Sequence, residues 1–179
     1  MKALPLAAIL SVACLPAFGQ TLDIPKTKVS MEQCLQAVLA KYPAKVKSVE
    51  LEIERGTPYY EFEITTLLDG HTWEAECNAN TGAISKVERD VKPDDPAFAK
   101  VARISAAEAM KIALAKVPGQ PKEIEYEVAP DGRAWYEFTI VGKGGATTEV
   151  MVDAATGEVI GTEDETDEQE IYRIGGDDD

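Results

Sequence analysis

The chain has 179 residues, 28% of them charged, and a formal net charge of -14 at pH 7. Such acidity excludes a nucleic-acid ligand, because that affinity comes largely from Lys and Arg neutralising phosphates. The length suits two domains of roughly 60 residues, and past the N-terminal leader no apolar run approaches the roughly 20 residues of a membrane span.

Residues 1–19 read as an export signal: Lys2 is their only charge, an apolar stretch runs from Leu4 to Phe18, and Ala17-Phe18-Gly19 offers small residues for cleavage near Gly19/Gln20. The expected product is periplasmic or secreted. Lipid attachment at Cys14, through Ser11-Val12-Ala13-Cys14, is the weaker alternative: Leu is missing three residues before the cysteine and the chain beyond stays apolar.

Two segments about 75 residues apart then repeat one another. A first copy is expected over residues 28–89 and a second over 104–163, joined by a linker over 90–103 and followed by an acidic, disordered tail over 164–179. In the first copy Ser30 stands three residues before Gln33, a capping box. The helix behind it carries Met31, Cys34, Leu35, Val38 and Tyr42 on one face and stops at Pro43. Three strands follow with period-two alternation. Val49, Leu51 and Ile53 alternate with Glu50, Glu52 and Glu54; Tyr60, Phe62 and Ile64 with Tyr59, Glu61 and Glu63; Trp73, Ala75 and Cys77 with Glu74 and Glu76. A short fourth strand is expected after Thr81-Gly82.

The linker, with Pro93, Asp94, Asp95 and Pro96, reads as semi-rigid. The second copy repeats the plan with Ser105 and Glu108 as its capping box, and Ala109, Met110, Ala113, Leu114 and Val117 as its stripe. Its strands are built on Ile124/Tyr126/Val128, Tyr136/Phe138/Ile140 and Thr148/Val150/Val152. The fold class predicted is α+β: two repeats, each one N-terminal helix packed on an antiparallel three- to four-stranded sheet.

Beyond the leader the cysteines are Cys34 and Cys77, both in the first copy, where the second has Ala109 and Val152. Being present together and absent together suits a disulfide in an oxidising compartment. Parity puts both on facing apolar surfaces. The alternative is two small buried hydrophobes.

Both copies resemble the PepSY domain, in the helix ending Lys-(Tyr/Val)-Pro, the strand Tyr-Glu-Phe-x-Ile, and the hairpin Asp153-Ala154-Ala155-Thr156-Gly157-Glu158-Val159. The first copy departs from the hairpin pattern at Asn78 and Ala83. The resemblance implies an exported, non-enzymatic module that binds a protein partner, such as a secreted or periplasmic peptidase inhibited in trans.

The residues themselves offer little catalysis. His71 is the only histidine and follows an Asp-Gly turn, and metal-ligand spacings of His or Cys are absent. No cofactor and no dedicated metal set is expected. The acidic face of the first sheet stands out, with Glu50, Glu52, Glu54, Glu61, Glu63, Glu74 and Glu76 on one side. Like charges facing across strands destabilise a sheet, so this face is either simply solvated or a docking surface. Glu61, Glu63, Glu74 and Glu76, with Tyr59 and Trp135 as apolar anchors, are its candidate contacts. Alternatives are a divalent-cation-responsive envelope protein, binding weakly on a flat sheet, and a structural spacer.

Overall fold

The computed structural model describes residues 24–165 and 168–176. The residues that read as an export signal, Cys14 and Asp177–Asp179 lie outside them. Helix α1 (Met31–Lys41) opens on Ser30, whose Oγ accepts from the Gln33 backbone N–H (3.2 Å) while the Gln33 side chain accepts from the Ser30 N–H (3.0 Å). The chain continues through strands β1 (Ala44–Glu54), β2 (Thr57–Thr66), β3 (Thr72–Asn78) and β4 (Ile84–Asp90). After a short helix α2 (Pro96–Val101) the plan recurs in α3 (Ala106–Lys116), β5 (Gly119–Val128), β6 (Ala134–Gly142), β7 (Thr147–Asp153) and β8 (Val159–Asp164). The capping box recurs with Ser105 and Glu108. At each Thr-Gly turn the glycine has positive φ (75° at Gly82, 77° at Gly157), and the preceding Asn78 or Asp153 carboxamide or carboxylate accepts two backbone N–H groups.

Three expectations are corrected. The two repeats do not own separate sheets: all strands join one antiparallel sheet in the order β8-β7-β6-β5-β4-β3-β2-β1-β9. The linker is not merely a spacer. Asp95 caps α2 by accepting from the Ala97 N–H (2.8 Å), Pro96 takes the first turn, and Phe98 is buried. Finally, the segment taken as a disordered tail contains β9 (Glu168–Gly175), paired antiparallel with β1 from Ser48↔Gly175 to Glu54↔Glu168. The free edge of β1 offers unpaired backbone donors and acceptors, and Ile171, Tyr172 and Ile174 give β9 strand-forming residues to answer them.

The pairing of β9 also sets the sheet's curvature. Laid flat, nine strands spaced by about 4.8 Å would separate β8 from β9 by roughly 38 Å. Yet Asp164 and Glu168 are four positions apart in the chain, a reach of about 14 Å. The sheet therefore rolls up, and Arg55, in the turn between β1 and β2, donates from Nη2 to the Thr162 carbonyl of β8 (2.5 Å). The convex side carries the helices, with α1 on β2, β3 and β4, α2 on β5 and β6, and α3 on β6 and β7. One apolar cluster runs beneath them through both repeats, from Cys34, Leu51, Phe62 and Ile64 to Phe98, Phe138 and Val152. Cys34 and Cys77 are bonded across α1 and β3, with Cα atoms 5.8 Å apart.

Candidate functional site: an acidic trough inside the rolled sheet

The acidic residues of the strands fall on the concave side. Alternation alone predicts a wet face, but rolling the sheet turns it inward: Glu50, Glu52, Glu76, Glu88, Glu127 and Glu137 are each at most 9% exposed. The register aligns these side chains across strands. One row runs Arg173, Glu50, Glu61, Glu76 and Lys86 over β9, β1, β2, β3 and β4. Its ends are cationic: Arg173 Nε lies 2.9 Å from Glu50 Oε1, and Lys86 Nζ lies 3.9 Å from Glu76 Oε1 while pairing closely with Glu88. A second row holds Ser48, Glu63, Glu74 and Glu88, with Lys47 on Glu63 (2.5 Å). Beyond β4, Asp90, Glu127, Trp135 and Asp153 align, as do Glu125, Glu137 and Met151.

The carboxylates outnumber the cations, and their proton affinity shows it. Burial, reinforced by the charges of Glu74, Glu76 and Glu50, pushes the Glu61 carboxyl up to about 8. Burial does the same for Glu76, up to about 8, against the opposing pull of Lys86. Glu127 is raised further still, by burial and by facing the Glu88 carboxyl. Burial and the neighbouring acids also raise Glu137 and Glu149. Lys86 is itself desolvated, but Glu88, Glu137, Glu76 and Glu127 outweigh that and hold its ammonium firmly protonated.

Of the residues singled out in the sequence, Tyr59, Glu76 and Trp135 come together, lining a concave cavity of about 490 Å³ with Lys86 and Met151. Trp135 is an enclosed wall of this cavity instead of an exposed anchor: it is 5% exposed, packs with Ala129 and Met151, and its Nε1 has no hydrogen-bond partner. Tyr59, Glu61 and Glu63 are half-buried, and Glu74 is exposed. Lys86, Glu88, Asp90 and Arg173 are not among the residues singled out from the sequence. Alternation through Lys86, Glu88 and Asp90 was available as a signal, whereas Arg173 depended on β9 pairing with a strand far away in sequence. His71 sits apart from the trough, exposed at the rim of an apolar recess of about 420 Å³ lined by Trp73, Arg89 and Val128. Its backbone N–H donates to Asp69 Oδ1 (3.0 Å), an Asx turn.

Among solved structures, the chain is similar to a Clostridium difficile 630 protein assigned as a lipoprotein. Identity is 22% over 78% of this chain and 95% of that one, with a TM-score of 0.34. No curated protein matches the sequence. The family described as "Peptidase propeptide and YPEB domain", PepSY, whose members are non-catalytic propeptide or regulatory modules, matches twice, over residues 28–88 and 103–163. A match to both repeats, each with its helix, meander and Thr-Gly hairpin, means that the chain belongs to the PepSY family.

Proposed function

We propose that this protein is a non-catalytic binding module that receives a basic segment of a partner protein in its acidic trough, and that the partner is a peptidase outside the cytoplasm, regulated in trans. The observation that carries this reading is the trough itself: a cavity of about 490 Å³ with Tyr59 and Trp135 on its wall and a carboxylate excess behind them. A lysine or arginine side chain entering it exchanges carboxylate repulsion for ion pairs in a poorly hydrated site, where they are strong. The family's association with peptidase propeptides supports the choice of partner. The disulfide between α1 and β3 supports an oxidising compartment.

The test is a titration of the purified protein against the secreted and periplasmic proteolytic activity of its host. Saturable inhibition that is abolished by Glu61→Lys with Glu63→Lys is the expected result. Inhibition unchanged by that pair removes the trough as the binding surface, and no inhibition by folded protein removes the peptidase. A second reading, a response to divalent cations, is favoured by a separate set of carboxylates at the junction of the repeats.

A further inference from the structure

The two repeats meet along a short seam. Strands β4 and β5 pair at Arg89↔Val128 and Asp90↔Glu127, and just beyond them the Val91 N–H donates to the Tyr126 carbonyl (2.8 Å). On the concave side of this seam, Asp90 from the first repeat and Glu125 and Glu127 from the second each offer one oxygen, and these oxygens lie within 4.8 Å of one another. Among the described residues no lysine or arginine reaches any of the three at ion-pair distance; Lys86 pairs instead with Glu76 and Glu88. Glu127 is 6% exposed, yet its Oε2 has no hydrogen-bond partner, and the Glu88 carboxyl that faces it also leaves Oε2 unsatisfied. Lys86 answers Glu88 and attracts Glu127 from further away, but it leaves Glu127 Oε2 without a donor, and a buried carboxylate oxygen so left is costly.

The internal repeat shows what normally stands there. Strand β9 lies against β1 as β4 lies against β5, so Glu50 and Glu52 on β1 match Glu125 and Glu127 on β5. In the first repeat β9 brings a cation, Arg173, whose Nε is 2.9 Å from Glu50. In the second, β4 brings Asp90 opposite Glu127, as β9 brings Glu170 opposite the matching Glu52, but among the described residues no lysine or arginine pairs with Glu125, the match of Glu50. Glu50, Glu52 and Glu61 also gather within 4.8 Å, but there the guanidinium already supplies positive charge. The seam has the same acids without the guanidinium.

We propose that Asp90, Glu125 and Glu127 bind a hard divalent cation of the calcium class, which fastens the first repeat to the second. The donors are all carboxylate oxygens, with no nitrogen or sulfur, which selects calcium, magnesium or manganese over zinc or copper. Three carboxylates supply up to six oxygens and tolerate uneven geometry, as calcium does and magnesium does not. Oxygens on opposite sides of a calcium ion, with bonds of about 2.4 Å, stand about 4.8 Å apart.

The experiment is calorimetric titration of the purified full chain with calcium chloride near neutral pH, alongside thermal melts with calcium, magnesium or sodium salts at matched ionic strength. One saturable site is expected, with a Kd on the order of 10⁻⁴ to 10⁻³ M, together with a rise in Tm that sodium does not reproduce. Asp90→Asn weakens binding at least about tenfold through loss of a charged ligand; Glu50→Gln leaves it intact. Because Asp90 is exposed, the Asn variant should keep the fold, which circular dichroism verifies. Equal uptake by the Asp90→Asn variant, or an equal Tm rise with sodium, overturns the site as mere screening. Absence of binding overturns it too, and leaves Glu88 and Glu127 as a pair sharing a proton.

Discussion

In the first repeat a disulfide ties α1 to β3 through fully buried Cys34 and Cys77; in the second, the matching positions hold Ala109 and Val152, equally buried and unlinked. The second repeat has an aromatic cluster in its place. Phe98, delivered by α2, meets Tyr126 and Tyr136 edge-on at 5.1 and 5.0 Å, and Tyr136 stacks on Phe138 at 6.2 Å. In the first repeat Tyr60 and Phe62 make a looser ring pair, 6.4 Å apart. Helices of this length are marginal without tertiary support, and the two copies find it differently, one by covalent closure and one by apolar area. A shared fold therefore fixes which positions are buried without fixing the means of fastening.

The most severe way to break this comparison is to give the first repeat the second repeat's residues. Cys34→Ala with Cys77→Val, read by thermal or urea unfolding, should cost about 4 kcal/mol, the closure entropy of a loop with a sequence separation of 43. Removing the second repeat's anchor comes next: Phe98→Ala should cost about 3 kcal/mol through lost burial and ring contacts. If the disulfide swap leaves the melting curve unmoved, the two fastenings are not equivalent.

A third test uses pH and sharpens the contrast between convex and concave sides. In the unfolded chain Glu61 and Glu76 ionise near 4.5; in the folded chain they hold protons up to about 8, with Glu50, Glu74, Glu88 and Lys86 among the charges acting on them. The folded state thus binds more protons, so their contribution is fully present below about pH 4.5 and is lost as pH rises toward 8. Tm should fall by several degrees between pH 5 and pH 8, and Glu61→Gln should flatten that fall. A Tm that climbs over the same range contradicts the buried trough. The smallest effect expected is from Arg173→Ala, about 1 kcal/mol for a half-exposed partner of a buried carboxylate, measured by urea unfolding.

Local features were legible from residues alone. The capping boxes at Ser30 and Ser105, the positive-φ glycines after Thr81 and Thr156, the strand parity and the Cys34–Cys77 pairing all depend on short-range chemistry or on period-two and helical spacing. Two local signals are weak in the sequence. Asp95-Pro96 is an N-cap followed by a first-turn proline, yet it read as a linker because α2 is only six residues long. The run Ile171, Tyr172 and Ile174 was obscured by the charges around it.

The sequence by itself determined which side chains share a face, where α1 and α3 begin, and that the chain is one unit repeated. Alternation cannot say whether a polar face looks at water or at another polar face, because parity carries no information about curvature. Only the tertiary structure decided that, through β9 crossing from the end of the second repeat to the first strand of the first. That pairing rolled the sheet and buried carboxylates that a flat sheet would have left in solvent. It also brought Arg173 to Glu50, whereas among the described residues no lysine or arginine pairs with the matching Glu125.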